Sequence, residues 1–279
     1  MVWYPRRRRV WVAAALAVVA CGIGVTVFVR ERLKARNFID PQGPRLAACC
    51  AESPDRAAFR VVTFNIQYAR EIEGAIRLFS ATPGMQDADF VLLQEMDEDG
   101  VRRIAAALSL GNYVYYPTTV MRGRNFGNAI LSRWPLENDA KLILPHLALF
   151  DGSQRIAVRA TARVGAQRIR LYSVHLATML DHWPAARRDQ AMAVVADADS
   201  AHEPVIIAGD TNAPGLWKAF DGRGYRCISR DLGGTRGPFS IDHIFTRGLQ
   251  LDQPAARGVI RGHDDVSDHN PVWAVVSRE

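Results

Sequence analysis

Residues 204–212 read Pro204-Val-Ile-Ile-Ala-Gly-Asp-Thr-Asn212. Four consecutive apolar residues between a proline and a glycine suit a strand buried on both faces. Gly209 permits a tight exit from that strand. Asp210 and Asn212 stand two apart, so an extended backbone presents them on one face. Alone, such a segment can be a simple Asp/Asn turn whose side chains cap their own backbone. Its weight comes from recurrence, because the same arrangement returns along the chain.

Short apolar runs ending in polar residues begin at Phe59. The runs Phe59–Asn65, Phe90–Glu95, Tyr113–Tyr116, Asn128–Leu131, Arg155–Arg163, Arg168–His175, Val205–Asp210, Ile241–Phe245 and Val272–Val275 predict strands. Helical periodicity fits Glu71–Phe79, Gly100–Leu108 and Pro184–Ala198, the last opening on a proline in its first turn. Strands outnumber helices and the helices are scattered among them, which predicts an α/β fold of packed sheets covered by helices. Asn65, Glu95, His175, Asp210, Asn212, Asp242, Asp268 and His269 stand at or just beyond the ends of apolar runs. Strand ends can deliver such side chains to one rim.

Each residue type brings its own chemistry. Glu95 follows four apolar residues and a glutamine, and a carboxylate is the hard oxygen ligand that suits Mg²⁺. Asn65, taken alone, reads as a turn residue. Asp210 and Asn212 could contact a metal-bound water and a phosphate oxygen. Asp242-His243 and Asp268-His269 are two Asp-His pairs beside β-like runs. An imidazole exchanges protons near neutral pH, and a carboxylate partner fixes its tautomer and raises its basicity. His243 follows Asp242 within a strand and should face the opposite way.

In order, Thr-Phe-Asn65, Leu-Gln-Glu95, Gly127-Asn-Ala-Ile-Leu-Ser-Arg133, Ser173-Val-His175, Gly209-Asp-Thr-Asn212, Ile241-Asp-His243 and Ser267-Asp-His269 resemble the endonuclease/exonuclease/phosphatase superfamily, the deoxyribonuclease I-like fold. The resemblance covers Phe59 to the C-terminus and leaves out residues 1–58. It implies a four-layer α/β/β/α sandwich and a hydrolase of phosphate esters using Mg²⁺ or Mn²⁺. It implies Glu95 as the main metal ligand, with Asn65 and Asp268 in the metal and phosphate network. Asp210 would orient or deprotonate the attacking water, or protonate the leaving oxygen. Asn212 would bond a phosphate oxygen. His269, oriented by Asp242, would contact the scissile phosphate and assist proton transfer, and His175 would be a second phosphate-contacting histidine. Asn128 suits a structural bond or a substrate contact, and either Tyr115 or Tyr116 could reach the site. Loops 118–126, with Arg122 and Arg124, and 177–188, with Trp183, are the segments that would choose the substrate.

The remaining sequence concerns location. Val10 to Val29 is an uncharged run of 20 residues. As a helix it would measure about 30 Å, the thickness of a bilayer's hydrocarbon core. A cleaved signal peptide would have a shorter apolar region. The expectation is therefore a single-pass anchor in residues 1–36, a linker with little structure of its own over 37–58, and a catalytic domain over 59–279. Arg6 to Arg9 form the denser basic block, which favours a cytoplasmic N-terminus and an extracytoplasmic domain.

The formal charge is +6, but eight of the basic residues stand in 1–36 against Glu31 alone. The rest of the chain holds one more acid than base, which argues against a strong nonspecific grip on nucleic acid. Arg122, Arg124 and Arg133 could still form a local basic patch. Cys21, Cys49, Cys50 and Cys227 have no zinc-site or disulfide-framework spacing. What the resemblance implies as substrate is a phosphodiester of nucleic acid, or alternatively a lipid headgroup or small phosphate ester. A catalytically inactive anchored binding module is the third reading.

Overall fold

The structure, a computed structural model, describes residues 35–263 and 265–279. The expected span at 10–29 and nearly all of the 1–36 anchor lie outside the described residues. Among the described residues no helix is long and apolar enough to cross a membrane.

Two mixed sheets carry the fold. The strands are β1 (Arg36–Asn37), β2 (Leu46–Ala48), β3 (Ala58–Asn65), β4 (Phe90–Met96), β5 (Asn112–Met121), β6 (Arg124–Ser132), β7 (Leu136–Ile143), β8 (Ile156–Val164), β9 (Gln167–His175), β10 (Val205–Asp210), β11 (Arg226–Cys227), β12 (Asp242–Arg247), β13 (Leu249–Leu251), β14 (Arg257–Val259) and β15 (Val272–Arg278). The first sheet runs β1-β5-β6-β4-β3-β15-β13, with β2 also on β5 and β14 also on β15; the second runs β11-β12-β10-β9-β8-β7. β3 is parallel to β4 and β10 to β9. The helices are α1 (Ile72–Ala81), α2 (Glu98–Ala107), α3 (Pro184–Ala198) and the short α4 (Trp217–Asp221).

Side-chain alternation explains the layering. In β3, β4 and β10 the residues Phe59, Val61, Phe90, Leu92, Ile206 and Ala208 point between the sheets into one core. Their neighbours point outward. Val62, Val91 and Leu93 pack under α1 and α2 with Ile72, Phe79 and Ile104. Val205 and Ile207 pack under α3 and α4 with Val194, Val195 and Phe220. Strands buried on both faces have no polar side to show, which is why 205–208 is continuously apolar.

Segment 37–58, read as a linker, is instead laid against the sheet. β1 and β2 both pair with β5. Lys141 donates to the carbonyls of Phe38 and Gly43, and Trp134 Nε1 donates to those of Ser53 and Pro54. The prolines misled, because they break periodicity without preventing backbone pairing at an edge. Cys49 and Cys50, whose spacing suggested no disulfide framework, are joined by a disulfide in this same segment.

Candidate active site

The inward phase of each strand carries directly into the site. Phe59, Val61, Thr63 and Asn65 share one face of β3; Ile169, Leu171, Ser173 and His175 share one face of β9; Ile206, Ala208 and Asp210 share one face of β10. Asp242 begins β12 in register with Asp210. One end of the sandwich therefore collects Asn65, His175, Asp210 and Asp242, and the loop before β15 adds Asp268 and His269.

Glu95 arrives differently. Alternation along β4 would send it outward with Val91 and Leu93. The β4–β6 register shifts between Leu93 and Met96, and Glu95 takes a left-handed φ of 59°. A bulge re-aims a side chain in this way, at an energetic cost the surrounding structure must bear. The carboxylate ends up 3.2 Å from Asn65 Nδ2 and accepts from the Tyr68 N–H at 3.0 Å.

The groups form a connected set. Asn65 Nδ2 also donates to Asp210 Oδ2 at 3.0 Å, while its own oxygen accepts from the Gln67 N–H. Asp210 Oδ1 accepts from the Asn212 N–H at 2.7 Å. His269 Nδ1 lies 2.9 Å from Asp242 Oδ2, and its Nε2 lies 3.7 Å from Asp210 Oδ2. His175 Nε2 lies 3.6 Å from Asp210 and 3.9 Å from Glu95. The eight residues expected from the sequence thus converge on one end of the molecule. In front of them opens a cleft of about 690 Å³, lined by Glu95, His175, Asn212 and Asp268 among others.

Burial sets the protonation states. It pushes the Asp210 carboxyl up, against the pull of His269, and the Asp242 charge adds to the rise. It also pushes Glu95 up, with the Asn65 amide opposing. Burial alone would lower His269, but the Asp242 and Asp210 carboxylates prevail and raise it to about 10. Both carboxylates thus favour the protonated imidazole. His175 moves the other way: burial, then the Arg155 guanidinium, hold it well below its ordinary value. Arg155 Nη1 lies 2.9 Å from His175 Nε2, which can accept only when that nitrogen is unprotonated.

Three cleft residues escaped the sequence reading. Arg155 precedes β8 and is also paired with Asp181 at 2.9 Å. Arg236 pairs with Asp268 at 2.6 Å. Tyr68 lies in the left-handed turn after Asn65, with Arg122 stacked 4.0 Å over its ring. Arginine at a strand end and tyrosine in a loop are too ordinary to mark a site. The expected basic patch is dispersed: Arg122 faces the cleft, while Arg124 pairs with Asp97 and Arg133 with Asp89.

Neither Tyr115 nor Tyr116 of β5 reaches the site. Tyr115 donates to the Met96 carbonyl and Tyr116 to Asp139. Asn128 is buried, and its amide donates to the Ile156 and Ser173 carbonyls across the sheets, which makes its bond structural. His243 is on the outer face, beside Cys227 and Ser229.

The donor set fits a divalent cation. Glu95 and Asp268 open on the cleft, and oxygen donors suit a hard ion that keeps several waters. The upward push on Glu95 marks a buried negative charge that a cation would neutralise. Asn65 turns its NH₂ toward the carboxylates, so it donates to Glu95 here instead of offering oxygen to an ion. Asp210, Asp242 and His269 also bring donor atoms within 4.8 Å of one another. They are nearly fully buried, and His269 already spends Nδ1 on Asp242, which leaves little room for a hydrated ion.

The model of the Endonuclease/Exonuclease/phosphatase family matches residues 62–269. No curated protein matches the chain. Solved structures with a similar fold include an endonuclease/exonuclease/phosphatase from Beutenbergia cavernae, at 19% identity and TM-score 0.63, covering 80% of this chain and 72% of that one. TDP2 of D. rerio, solved with a single-strand DNA product, has 15% identity and TM-score 0.61, covering 80% of this chain and all of that one. Sphingomyelinase C from Streptomyces griseocarneus has 16% identity and TM-score 0.58, again covering 80% of this chain and all of that one.

Proposed function

The chain belongs to the endonuclease/exonuclease/phosphatase family, whose members hydrolyse phosphoester bonds, and we propose that it is a membrane-anchored, Mg²⁺- or Mn²⁺-dependent hydrolase of phosphodiesters. The observation that carries this reading is the convergence of two imidazoles on one buried carboxylate: His175 Nε2 lies 3.6 Å and His269 Nε2 3.7 Å from Asp210 Oδ2, with His269 held from behind by Asp242 at 2.9 Å. Burial pushes Asp210 up, the two carboxylates push His269 up, and burial with Arg155 pushes His175 down.

The roles follow from those states. A divalent cation bound at Glu95, with Asp268 beside it, would supply charge neutralisation at a phosphoryl oxygen. Asp210, fixed by Asn65 and the Asn212 N–H, accepts the proton of the attacking water. His269 already carries its proton, so it donates toward the phosphoryl or leaving oxygen, and Asp242 holds its tautomer. Arg155 supplies a fixed positive charge behind His175, and the side chain of Asn212, whose amide donates to the Leu176 carbonyl at 2.9 Å, would face a bound phosphate from the cleft wall. Electrostatic groups arranged before the reaction contribute most where water is excluded.

Nucleic acid and lipid headgroup are both phosphodiesters. The second reading, a lipid headgroup, is favoured by the apolar mouth of the cleft, where Met179, Leu180 and Phe239 stand about half exposed or more. The near-neutral charge of residues 37–279 gives DNA little general attraction.

The test is a panel of single- and double-stranded DNA, RNA, phosphatidylcholine and sphingomyelin vesicles and bis(p-nitrophenyl) phosphate, assayed with Mg²⁺ or Mn²⁺ and with EDTA. The expected result is hydrolysis of at least one diester, abolished by EDTA and lowered about 10²–10⁴-fold by Asp210→Asn. Turnover that survives EDTA or Asp210→Asn would show the assignment to be wrong, as would inactivity on the whole panel.

A further inference from the structure

The exposed large apolar side chains of the described residues are confined to four segments. Leu147, Leu149 and Phe150 stand on the β7–β8 loop, and Met179, Leu180 and Trp183 on the β9–α3 loop. Phe239 lies across the cleft mouth and Ile39 follows β1. Phe150, Leu180 and Trp183 are 73, 80 and 75% exposed, a degree unusual for residues with so much apolar surface to hide.

The two loops form one ridge. The Leu149 N–H donates to the Asp181 carbonyl at 3.2 Å, and Gln190 Nε2 donates to the Pro145 carbonyl at 2.9 Å. His182 Nε2 is 3.2 Å from the His146 carbonyl oxygen, with the two rings 5.8 Å apart. The far end of the ridge borders the cleft, since Met179 and Leu180 line it.

The near end is where the N-terminal segment enters. The Ala35 N–H donates to the Asp151 carbonyl at 2.8 Å. Asn37 Nδ2 donates to the Gly152 carbonyl at 2.8 Å, and its oxygen accepts from the Gln154 N–H at 3.0 Å. Only six peptide steps separate Ala35 from Val29, the last residue of the uncharged run. Fully extended, they reach about 20 Å. A span at 10–29 would therefore hold Phe150, next to Asp151, within that reach of the bilayer surface.

We propose that the ridge of Leu147–Phe150 and Met179–Trp183 rests in the bilayer interface beside the anchor and holds the cleft mouth at the level of the headgroup phosphates. The inference rests on the anchored reading of residues 10–29. The chemistry suits the place. An aromatic ring with a polar edge, as at Trp183, settles at the boundary of hydrocarbon and water. The charges along the ridge offset one another, with Asp181 paired to Arg155 at 2.9 Å, Asp189 to His146 at 2.9 Å and Arg188 exposed beside them, so the ridge has no cationic excess to call for anionic lipid and a zwitterionic surface suffices. The diester presented to Glu95, His175 and Asp210 would then be a lipid's own phosphate.

The test uses the full chain in phosphatidylcholine vesicles, in a Cys21→Ser background. Spin labels are placed by Phe150→Cys, Trp183→Cys and, at the opposite edge of the first sheet, Gln250→Cys. Flotation with the vesicles reports the anchor. Collision with oxygen and with a water-soluble nickel complex reports the ridge. The expected result is nickel access at 150 and 183 about tenfold below that at 250, with oxygen access retained, as for side chains sunk into the headgroup–acyl boundary. Equal nickel access at all three sites in floated chain overturns the ridge and leaves the anchor standing. Exclusion of both reagents at 150 and 183 also overturns it, because protein then covers the patch. Failure to float overturns ridge and anchor together. None of these readings depends on turnover, so the phosphoesterase assignment stands or falls separately.

Discussion

Glu95 and His243 show how far a single residue's place in the sequence predicts its chemistry. Glu95 was recognisable as an acid ending an apolar run, but strand alternation would have hidden it under α1. Only the bulge and its left-handed φ of 59° bring it to the cleft. As the principal cleft-facing carboxylate, it should dominate ion binding. Glu95→Gln is expected to weaken Mg²⁺ binding by calorimetry more than about tenfold, since even indirect partners of a metal contribute 10–100-fold. Unchanged affinity would move the ion to another part of the cluster. His243 was legible as a strand residue facing away from Asp242, and it does so. Burial lowers it from 6.5 to about 4, and its Nε2 has no partner among the described residues. The unfolded chain thus binds this proton more readily than the folded one. The associated stability is complete above pH 6.5 and is lost as pH falls from 6.5 toward 4. At pH 5 the loss amounts to about 2 kcal/mol. Urea titrations of His243→Gln at pH 8 and pH 5 should show that much less acid sensitivity than the parent; an identical pH dependence would refute the buried neutral imidazole.

At the scale of elements, the exit of β10 is the most constrained. Gly209 takes φ 147°, and a Cβ there would meet the Val174 carbonyl oxygen at 2.0 Å. β9 and β10 are parallel neighbours, so the clash would part the strands that deliver His175 and Asp210. Gly209→Ala is expected to destabilise by about 2–4 kcal/mol, from the strained φ together with the steric conflict. Denaturant unfolding measures this, and a loss below about 0.5 kcal/mol, the range of an ordinary surface change, would contradict it. The glycine's permissive role was readable from the sequence; the oxygen it makes room for was not, because pairing partners are distant in the chain. Helices followed their periodicity closely. The 184–198 prediction coincides with α3, and Asp97 caps α2 three residues before the predicted start at Gly100 by accepting from the Gly100 N–H. β7 was missed, since Leu136–Ile143 carries Glu137, Asn138, Asp139 and Lys141 on an edge strand where burial is incomplete. Edge strands lose the apolar pattern that makes central ones visible.

For the whole molecule, the question is what holds two sheets in register when the site is divided between them. Asn65 and Glu95 come from one sheet; His175, Asp210 and Asp242 come from the other. The apolar core between the sheets resists separation, but hydrophobic contact is non-directional and does not forbid sliding. Beneath the site lies a polar seam. Gln94 Nε2 donates to Ser173 Oγ at 3.0 Å, and that hydroxyl donates to the Leu93 carbonyl at 3.0 Å. Thr63 Oγ1 donates to Gln94 Oε1 at 3.3 Å, and Asn128 adds its two bonds to Ile156 and Ser173. Gln94 stands one residue before Glu95 and Ser173 two before His175, both in the inward phase of their strands. Hydrogen bonds have preferred directions, so the seam fixes an offset that packing alone would leave soft. Replacing both partners, Gln94→Met with Ser173→Ala, leaves mainly Thr63 unpaired and should destabilise by about 1–2 kcal/mol. Val158→Ala, in the apolar part of the same core, should destabilise comparably by trimming packed methyl groups. Their catalytic consequences should differ. A displacement of about 1 Å between reacting groups can reduce turnover by about 10², so kcat should fall by that order in the double variant and remain within a few-fold of the parent in Val158→Ala. If kcat instead tracked stability equally in the two, the seam would be one more part of the packing, and the offset between the sheets would have to be set by the apolar core itself.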